Sequence, residues 1–542
     1  MLRLDRGLIL ALALAFAFTL QGINWGRVED WNPDQMALRS LSKDLEPGNF
    51  EKPPFQMYLY RVVVLTWVTL LEQIVQQQSN YFGAHNATAP AKVNFNQAAL
   101  VGSRFLTLSL FLGSLSLEFA IARRFFGLVA ARATALLMAT SAGFIGANHF
   151  LTVDSPMIFW MLLALFFSQR ILFSEALGNY LLAGLFVGVA TATKYNALAV
   201  GLAIPVAHFL KSNSIKAALL DRRPVLGVLA VLAGFVLACP YALLDHRKFV
   251  SDFMYNYTVT PHYGGQMTGN SYLDFPERIP QIVGWPGAAF AALAALGALI
   301  LVALRKLPAA SMQGFLLVAS IVALYYVKIG AFPRMQTRFV LPIVPLVLLM
   351  MGPCLEYCPP KAIYILLMPV MIYNCICSFY VGIRFADDPR MAAQTWVWTH
   401  LAMGSSIEST RFCPNWNKLP GVKLDSRPAP NLNERAALFS KVFANNKWVS
   451  NSVAEKEGAV NEGDFTLEAL QKRNPEYIAV DSYAYHGLEE GPPKAFYTSL
   501  LDGRFSYKIV FDLQSPPVPH WIYPKDIDFL ENRITILQRP GK

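Results

Sequence analysis

The sequence predicts a polytopic α-helical membrane protein with a small α/β domain at its C-terminal end. Three observations predict it. Apolar residues make up 54% of the 542 positions and charged residues only 15%, where soluble domains carry about a quarter charged. Before Phe385 the chain is a succession of apolar runs, and after it no long run remains. The net charge of +10 sits largely in short loops between those runs, the distribution that membrane insertion favours on the cytoplasmic side. The charge is therefore not a nucleic-acid signal, and no nucleic-acid partner is expected.

Runs long enough to cross a bilayer fall near 7–24, 99–122, 127–148, 154–173, 179–195, 196–210, 224–243, 282–304, 312–329, 338–354 and 361–382. They predict about eleven transmembrane helices. The first run follows Arg3 and Arg6 and ends at the polar Asn24–Trp25 without a small-residue cleavage site, so it reads as a retained span. Of the six cysteines, Cys239, Cys354, Cys358, Cys375 and Cys377 lie in or beside apolar runs and Cys413 lies in the polar tail. That spacing gives neither a disulfide framework nor a zinc site. His149, His246 and His262 are too scattered to form a metal cluster, and none is expected.

Residues 55–74 form a further apolar run, introduced by Glu51-Lys52-Pro53-Pro54. If it does not cross, Arg123, Arg124, Arg132, Arg170, the cluster Lys211 to Arg223, Arg305, Lys306 and Lys361 all fall on the side of Arg3 and Arg6. If it crosses, they all move to the opposite side, against the positive-inside rule. Arg61 and Glu72 inside the run raise the cost of crossing further. The segment therefore reads as a helix lying at, or re-entering, the outer interface, its first turn preset by the prolines. The loop 25–98, the loops near 149–154 and 244–281, and everything beyond about 383 then face one outer compartment.

Charged residues in those loops are the candidates for chemistry. Asn32-Pro33-Asp34-Gln35 reads as a helix start, followed by Leu38, Leu41 and Leu45 at helical spacing. By residue type alone Asp34 compensates a helix dipole, and Glu29 and Asp30 are solvated loop charges. Asp154 opens the span 154–173 with Pro156 behind it, which reads as an N-cap. Taken together, two carboxylates at one membrane surface can hold or deprotonate an acceptor. Lys52 and Lys194 face the same compartment and point to an anionic substrate such as a phosphate. His262, Tyr263 and the neighbouring Gly-Gly pair suit sugar stacking or a mobile cover, as well as an ordinary loop. Arg334 and Arg338 flank another outer loop. The sequons Asn86-Ala-Thr and Asn256-Tyr-Thr face outward.

NPDQMALRS, EKPP, SRFLTLSLFLGSLSLEFAIARRFFG, TVDSPMIFWMLLAL, GLFVGVATATKYNAL and RFVLPIVPLVLLM occur in this order. The set resembles the membrane glycosyltransferases of the GT-C type, in particular the lipid A aminoarabinose transferases and the dolichyl-phosphate-mannose protein mannosyltransferases. The resemblance covers most of 1–385 and implies a GT-C transmembrane domain there, with juxtamembrane helices in the first outer loop. It implies transfer of a sugar from a polyprenyl-phosphate donor to a lipid A, glycan or protein acceptor at the outer face, here of a bacterial inner membrane. It makes Asp34 the general base and Asp154 the second acid. Glu51 and Lys52 match the EKPP pair, with Lys52 near a phosphate, and Lys194 and Tyr195 match a lysine–tyrosine step beside the lipid phosphate. No cofactor is implied beyond the donor substrate. The chain departs at Gln35, where the family often has Glu, so a Glu that touched the acceptor would make the acceptor here a different one.

In the tail 386–542, DDPRMAAQTWVWTHL reads as helix and YIAVDS, YKIVFDL and ITILQR as strands, giving an extracytoplasmic α/β domain. The expected reaction is one inverting displacement, with Lys52, Lys194 and Arg338 stabilising the departing phosphate. The alternative is a transporter or lipid flippase, which tends to show paired repeats and midplane charges. A non-catalytic assembly protein is a third reading.

Overall fold

The structure is a computed structural model that describes residues 5–27, 29, 31, 45–70, 73, 95–174, 176–212, 214–258, 270–333, 335–419, 421–430, 462–485, 491–515 and 532–540. Asp34, Gln35, Glu72, His262, Tyr263 and Arg334 lie outside the described residues.

The chain is an integral membrane protein built of packed apolar helices. Helix α1 spans Arg6–Leu20, α2 Phe55–Leu70, α3 Phe95–Thr140 and α4 Ala142–His149. Helix α5 spans Asp154–Phe173, α6 Leu177–Thr193, α7 Tyr195–Lys211 and α8 Arg223–Ala238. After α9, His246–Thr258, come α10, Trp285–Ala303, α11, Ala309–Gly330, α12, Thr337–Tyr357, α13, Pro360–Ala386, and α14, Pro389–His400. Six of the described helical runs are long and apolar enough to cross a membrane: 97–140, 154–173, 285–303, 309–330, 337–357 and 360–400. Helices α1, α2, α6, α7 and α8 are apolar but shorter. Helix α3 breaks at Gly127, whose φ of 82° is open to glycine at little cost. Two of the expected runs, 99–122 and 127–148, therefore lie on either side of one break.

Helix α2 begins at Phe55, so Pro53 and Pro54 precede its first turn rather than forming it. It passes through a π-helical stretch, Tyr60–Leu65, and lies against the N-terminal part of α3. Tyr60 hydrogen-bonds Thr107 at 2.7 Å, and Val64 meets the face of Gly102. Tyr60 and Val64 share a buried cluster with Val68, Ala99, Leu100, Leu151 and Val153. Because successive α2 residues meet earlier α3 residues, the two helices run antiparallel. Elsewhere Gly184 and Gly188, four residues apart on α6, let α8 approach closely. A Cβ at Gly184 would lie 2.1 Å from the Gly227 carbonyl, and one at Gly188 2.3 Å from that of Val231. Small residues in this spacing replace the hydrophobic drive that lipid removes between helices.

Polar groups tie distant segments where apolar packing alone would not choose a partner. Arg104 of α3 is completely buried and donates to the carbonyls of Ile23, Trp25 and His149 at 2.8, 2.5 and 2.9 Å. Trp25 Nε1 donates to Asp388 Oδ2 at 2.8 Å. Asp388 caps α14 and pairs with Arg390 at 2.6 Å, both side chains being buried. The Arg390 guanidinium also lies 4.5 Å from the ring centre of Trp31. Glu29, expected to be a solvated charge, is instead buried. It accepts from Trp31 Nε1 at 2.8 Å and from the Asn415 amide at 2.7 Å, and it pairs with Lys418 at 3.0 Å. The first loop is thus bound to a part of the chain almost four hundred positions away, which no local pattern could announce.

The tail carries a five-stranded sheet in the order β2-β1-β3-β5-β4. Its strands are β1 Ser406–Ser409, β2 Asp425–Pro428, β3 Tyr477–Asp481, β4 Lys508–Gln514 and β5 Arg533–Gln538. Strand β1 runs parallel to β2 and β3, while β5 runs antiparallel to β3 and β4. Alternate residues face opposite sides of a strand. Tyr477, Ala479, Ile534 and Ile536 therefore pack with Ala393 and Val397 of α14. Ile478, Val480 and Leu537 pack on the other side with Leu470, Phe496 and Leu500, from helices Leu467–Arg473 and Pro492–Leu501. Burial on both faces explains why β3 and β5 read as nearly continuous apolar runs.

Removing Asp388 leaves Arg390 charged, buried and unpaired. Asp388→Ala is expected to destabilise the protein by about 3–5 kcal/mol, and the double substitution Asp388→Leu/Arg390→Met by clearly less. Thermal or denaturant midpoints of the detergent-solubilised variants check this.

Candidate functional site

The site forms where four chain segments meet: Phe50–Pro54, the start of α5, the α6–α7 junction and the start of α12. Asp154 is the first residue of α5, and Val153 takes the N-cap position without a capping side chain. The expected capping role is therefore not the one its carboxylate serves. Its Oδ1 instead accepts from Lys194 Nζ at 2.5 Å. Lys194 ends α6 in an extended conformation, φ −156° and ψ 131°, which turns the chain into the 3₁₀ opening of α7. The Asp154 side chain is 6% exposed and that of Lys194 22%, so the pair is shielded on the aspartate side and reachable on the lysine side.

Lys52 lies within the field of this pair. Burial pushes its ammonium below the usual lysine range, Asp154 opposes that, Lys194 adds to it, and Glu51 opposes it more weakly. Glu51 keeps solvent access at its surface yet has protein around much of its side chain. That burial, together with Asp252, raises its carboxyl above the ordinary value, against a smaller pull from Lys52. Arg338 joins the site through Phe339. The Arg338 guanidinium and the Lys194 ammonium lie 5.3 and 5.6 Å from the centre of that ring. Behind Lys194, Asn196 donates to Tyr325 Oη at 2.8 Å, and Tyr325 donates to the Phe339 carbonyl at 2.9 Å. The two cation-bearing segments are thus held to each other.

Tyr195 points away from Lys194 and donates its hydroxyl to the Phe50 carbonyl at 2.8 Å, which ties the α6–α7 junction to the chain just ahead of Lys52. Helix α9 completes this contact. Asp252 Oδ2 accepts from the Phe50 amide at 2.9 Å, and Asn256 Nδ2 donates to the Glu51 carbonyl at 2.8 Å. Phe249 and Phe253 of the same helix stack edge-on with Phe50 and Tyr195.

Of the residues singled out in the sequence, the structure brings together Asp154, Glu51, Lys52, Lys194, Tyr195 and Arg338. Asp34, His262 and Tyr263 fall outside the described residues. His149, near Asp154 in sequence, belongs elsewhere: it is stacked on Phe385 at 4.1 Å and lies between the carbonyls of Ile145 and Gln21. Asp252 and Asn256 were not expected. Their signal was the i, i+4 spacing of Phe249 with Phe253 and of Asp252 with Asn256 on one helix face, inside a segment that reads as loop. Gln56, wholly buried at the start of α2, also passed unnoticed.

The arrangement concentrates positive charge around one buried carboxylate at the joint of several helix ends. Partly buried cations of this kind suit an anionic group better than fully solvated lysines would.

Residues 96–241, which contain Asp154, Lys194 and Tyr195, match the family model described as dolichyl-phosphate-mannose-protein mannosyltransferase. The fold is similar to that of ArnT from Cupriavidus metallidurans. Against its apo state the TM-score is 0.56 at 14% identity, covering 98% of this chain and 97% of that one. Against the same protein bound to undecaprenyl phosphate the TM-score is 0.52, with the same identity and coverage. No curated protein sequence matches the chain.

Because Asp154 holds the Lys52 ammonium up, Asp154→Asn is expected to lower the pH at which Lys52 loses its proton. The pH dependence of Lys52 acylation by a water-soluble amine reagent, read by peptide mass spectrometry, measures this. An unchanged profile would separate the two groups.

Proposed function

We infer that the chain is a GT-C-type membrane protein whose residues 96–241 form a protein-mannosyltransferase-like core. On that premise we propose that it is an inverting glycosyltransferase that moves a sugar from a polyprenyl-phosphate carrier to an acceptor at the outer membrane face. The observation that carries this reading is the grouping of Lys194 and Lys52 about Asp154, with Arg338 sharing the Phe339 ring with Lys194. These three cations, beside Asp154 and a Glu51 whose carboxyl is shifted toward its neutral form, offer donors to a sugar phosphate.

In the proposed reaction, Asp34 takes the proton of the acceptor hydroxyl. The acceptor oxygen forms a bond to the anomeric carbon as the bond from that carbon to the phosphate oxygen breaks, with inversion. The electron pair leaves on the lipid phosphate, where Lys52, Lys194 and Arg338 stabilise it. A phosphate leaves as a weak base, so no general acid is required. Asp154 holds Lys194 in place and favours the charged form of the neighbouring Lys52. His262 and Tyr263 are assigned to sugar binding, and Tyr195 and Glu51 shape the approach to Lys52. The loops 25–98, near 149–154 and 244–281 and the domain 386–542 are assigned to the periplasmic or exterior side, because the arginines and lysines of the remaining loops then fall on the opposite, cytoplasmic side.

Substituting Asp34→Asn is expected to lower transfer by a factor of about 10² to 10⁴, and Lys52→Met by about 10² to 10³, with both variants still inserted in the membrane. Purified protein supplied with polyprenyl-phosphate sugars provides the assay, and mass spectrometry of envelope glycans with and without the gene identifies the sugar and its acceptor. Full transfer by Asp34→Asn would remove it as the base. Because Lys52 must stay charged while burial lowers its pKa, transfer is expected to fall on the alkaline side at a lower pH than an ordinary lysine would set. Lys52→Arg moves that limb upward.

A further inference from the structure

We infer that helix α9 is a positioning element for Lys52, acting through Asp252 and Asn256. This inference deepens the glycosyltransferase reading and rests on it for its kinetic arm only. The backbone just ahead of Lys52 is held at three atoms. The Phe50 amide donates to Asp252, the Phe50 carbonyl accepts from Tyr195, and the Glu51 carbonyl accepts from Asn256. Just after Lys52, Pro53 and Pro54 each fix a backbone torsion. A lysine side chain has four rotatable bonds and loses considerable freedom when it is placed. Fixing its backbone on both flanks removes the part of that disorder the chain itself contributes.

The clasp is also aromatic. Phe249 of α9 lies 5.5 Å from Phe50, Phe253 lies 5.0 Å from Tyr195, and Phe249 and Phe253 stack on each other at 6.1 Å. Asp252 and Asn256 stand four residues apart, as do Phe249 and Phe253, so one face of α9 supplies the whole contact. Asp252 carries a second effect: its charge reaches Glu51, the neighbour of Lys52. Neither Asp252 nor Asn256 is assigned contact with substrate, so they act through Lys52 rather than on the reacting atoms.

The test uses the full-length protein in detergent with the variants Asp252→Ala, Asp252→Asn, Asn256→Ala and, as a control remote from the site, Asp425→Ala, which removes an exposed ion pair with Arg427. Two quantities are read: the pH profile of Lys52 acylation, and the affinity for undecaprenyl phosphate alongside transfer kinetics. Asp252→Ala and Asn256→Ala are expected to move the acylation profile and to lower kcat/KM by about tenfold each. Asp252→Asn, whose amide oxygen still accepts from Phe50, recovers most of the loss, and Asp425→Ala changes nothing. If both alanine variants keep the wild-type profile and wild-type undecaprenyl phosphate affinity, the clasp does not position Lys52 and the inference falls. If the profile moves while wild-type protein transfers no sugar from any polyprenyl-phosphate donor, the positioning role stands and the glycosyltransferase reading falls. Asn256 is an exposed contact, so its variant keeps the test open should Asp252→Ala fail to fold.

Discussion

The buried guanidinium of Arg104 is the fixed point of this fold. Between helices in lipid, apolar contact gives no net preference for one neighbour over another, because lipid chains offer the same contact. A charged side chain with no solvent access has to find polar partners, and it finds them only in one arrangement. Arg104 takes the carbonyls at the exit of α1 and at the end of α4, and through Trp25 the network continues to Asp388 and Arg390 at the root of the tail. Helix α4 ends five residues before Asp154, so the network that fixes α4 also fixes where the site's carboxylate can stand.

The site itself is assembled by helix ends rather than helix middles. Asp154 begins a helix, Lys194 ends one, Arg338 begins another, and Lys52 precedes α2. Ends can be moved by small changes in loop geometry without disturbing the packed interiors. They also bring backbone groups that helices leave unbonded. The polar groups of the candidate site are thus gathered at helix ends, apart from the apolar helix middles.

Much of the architecture was legible before any coordinates, for simple reasons. A lipid-facing helix must be apolar throughout, so the runs announce themselves, and a strand covered on both faces reads as Tyr-Ile-Ala-Val or Ile-Thr-Ile-Leu. Asp154, Lys52 and Lys194 stood out jointly, because the span count places them in one outer compartment, although alone Asp154 reads as a cap and Lys194 as a snorkelling side chain. What escaped notice was non-local or without period. Strands β1 and β2, with sequences Ser-Ile-Glu-Ser and Asp-Ser-Arg-Pro, are four residues each and carry no alternation. Glu29 reads as a surface charge until its partners Asn415 and Lys418 are known. His149 sits five positions from Asp154, yet its ring lies against Phe385 rather than in the site.

One feature of the clasp reaches beyond this chain's own chemistry. Asn256 belongs to an Asn-Tyr-Thr sequon, and the nitrogen it offers to the Glu51 carbonyl is the same atom that a host's glycosylation machinery would modify. A glycan there would leave that nitrogen one hydrogen and a bulky neighbour, crowding the segment it holds. Material carrying that glycan would therefore differ, at the lysine-bearing segment, from material without it.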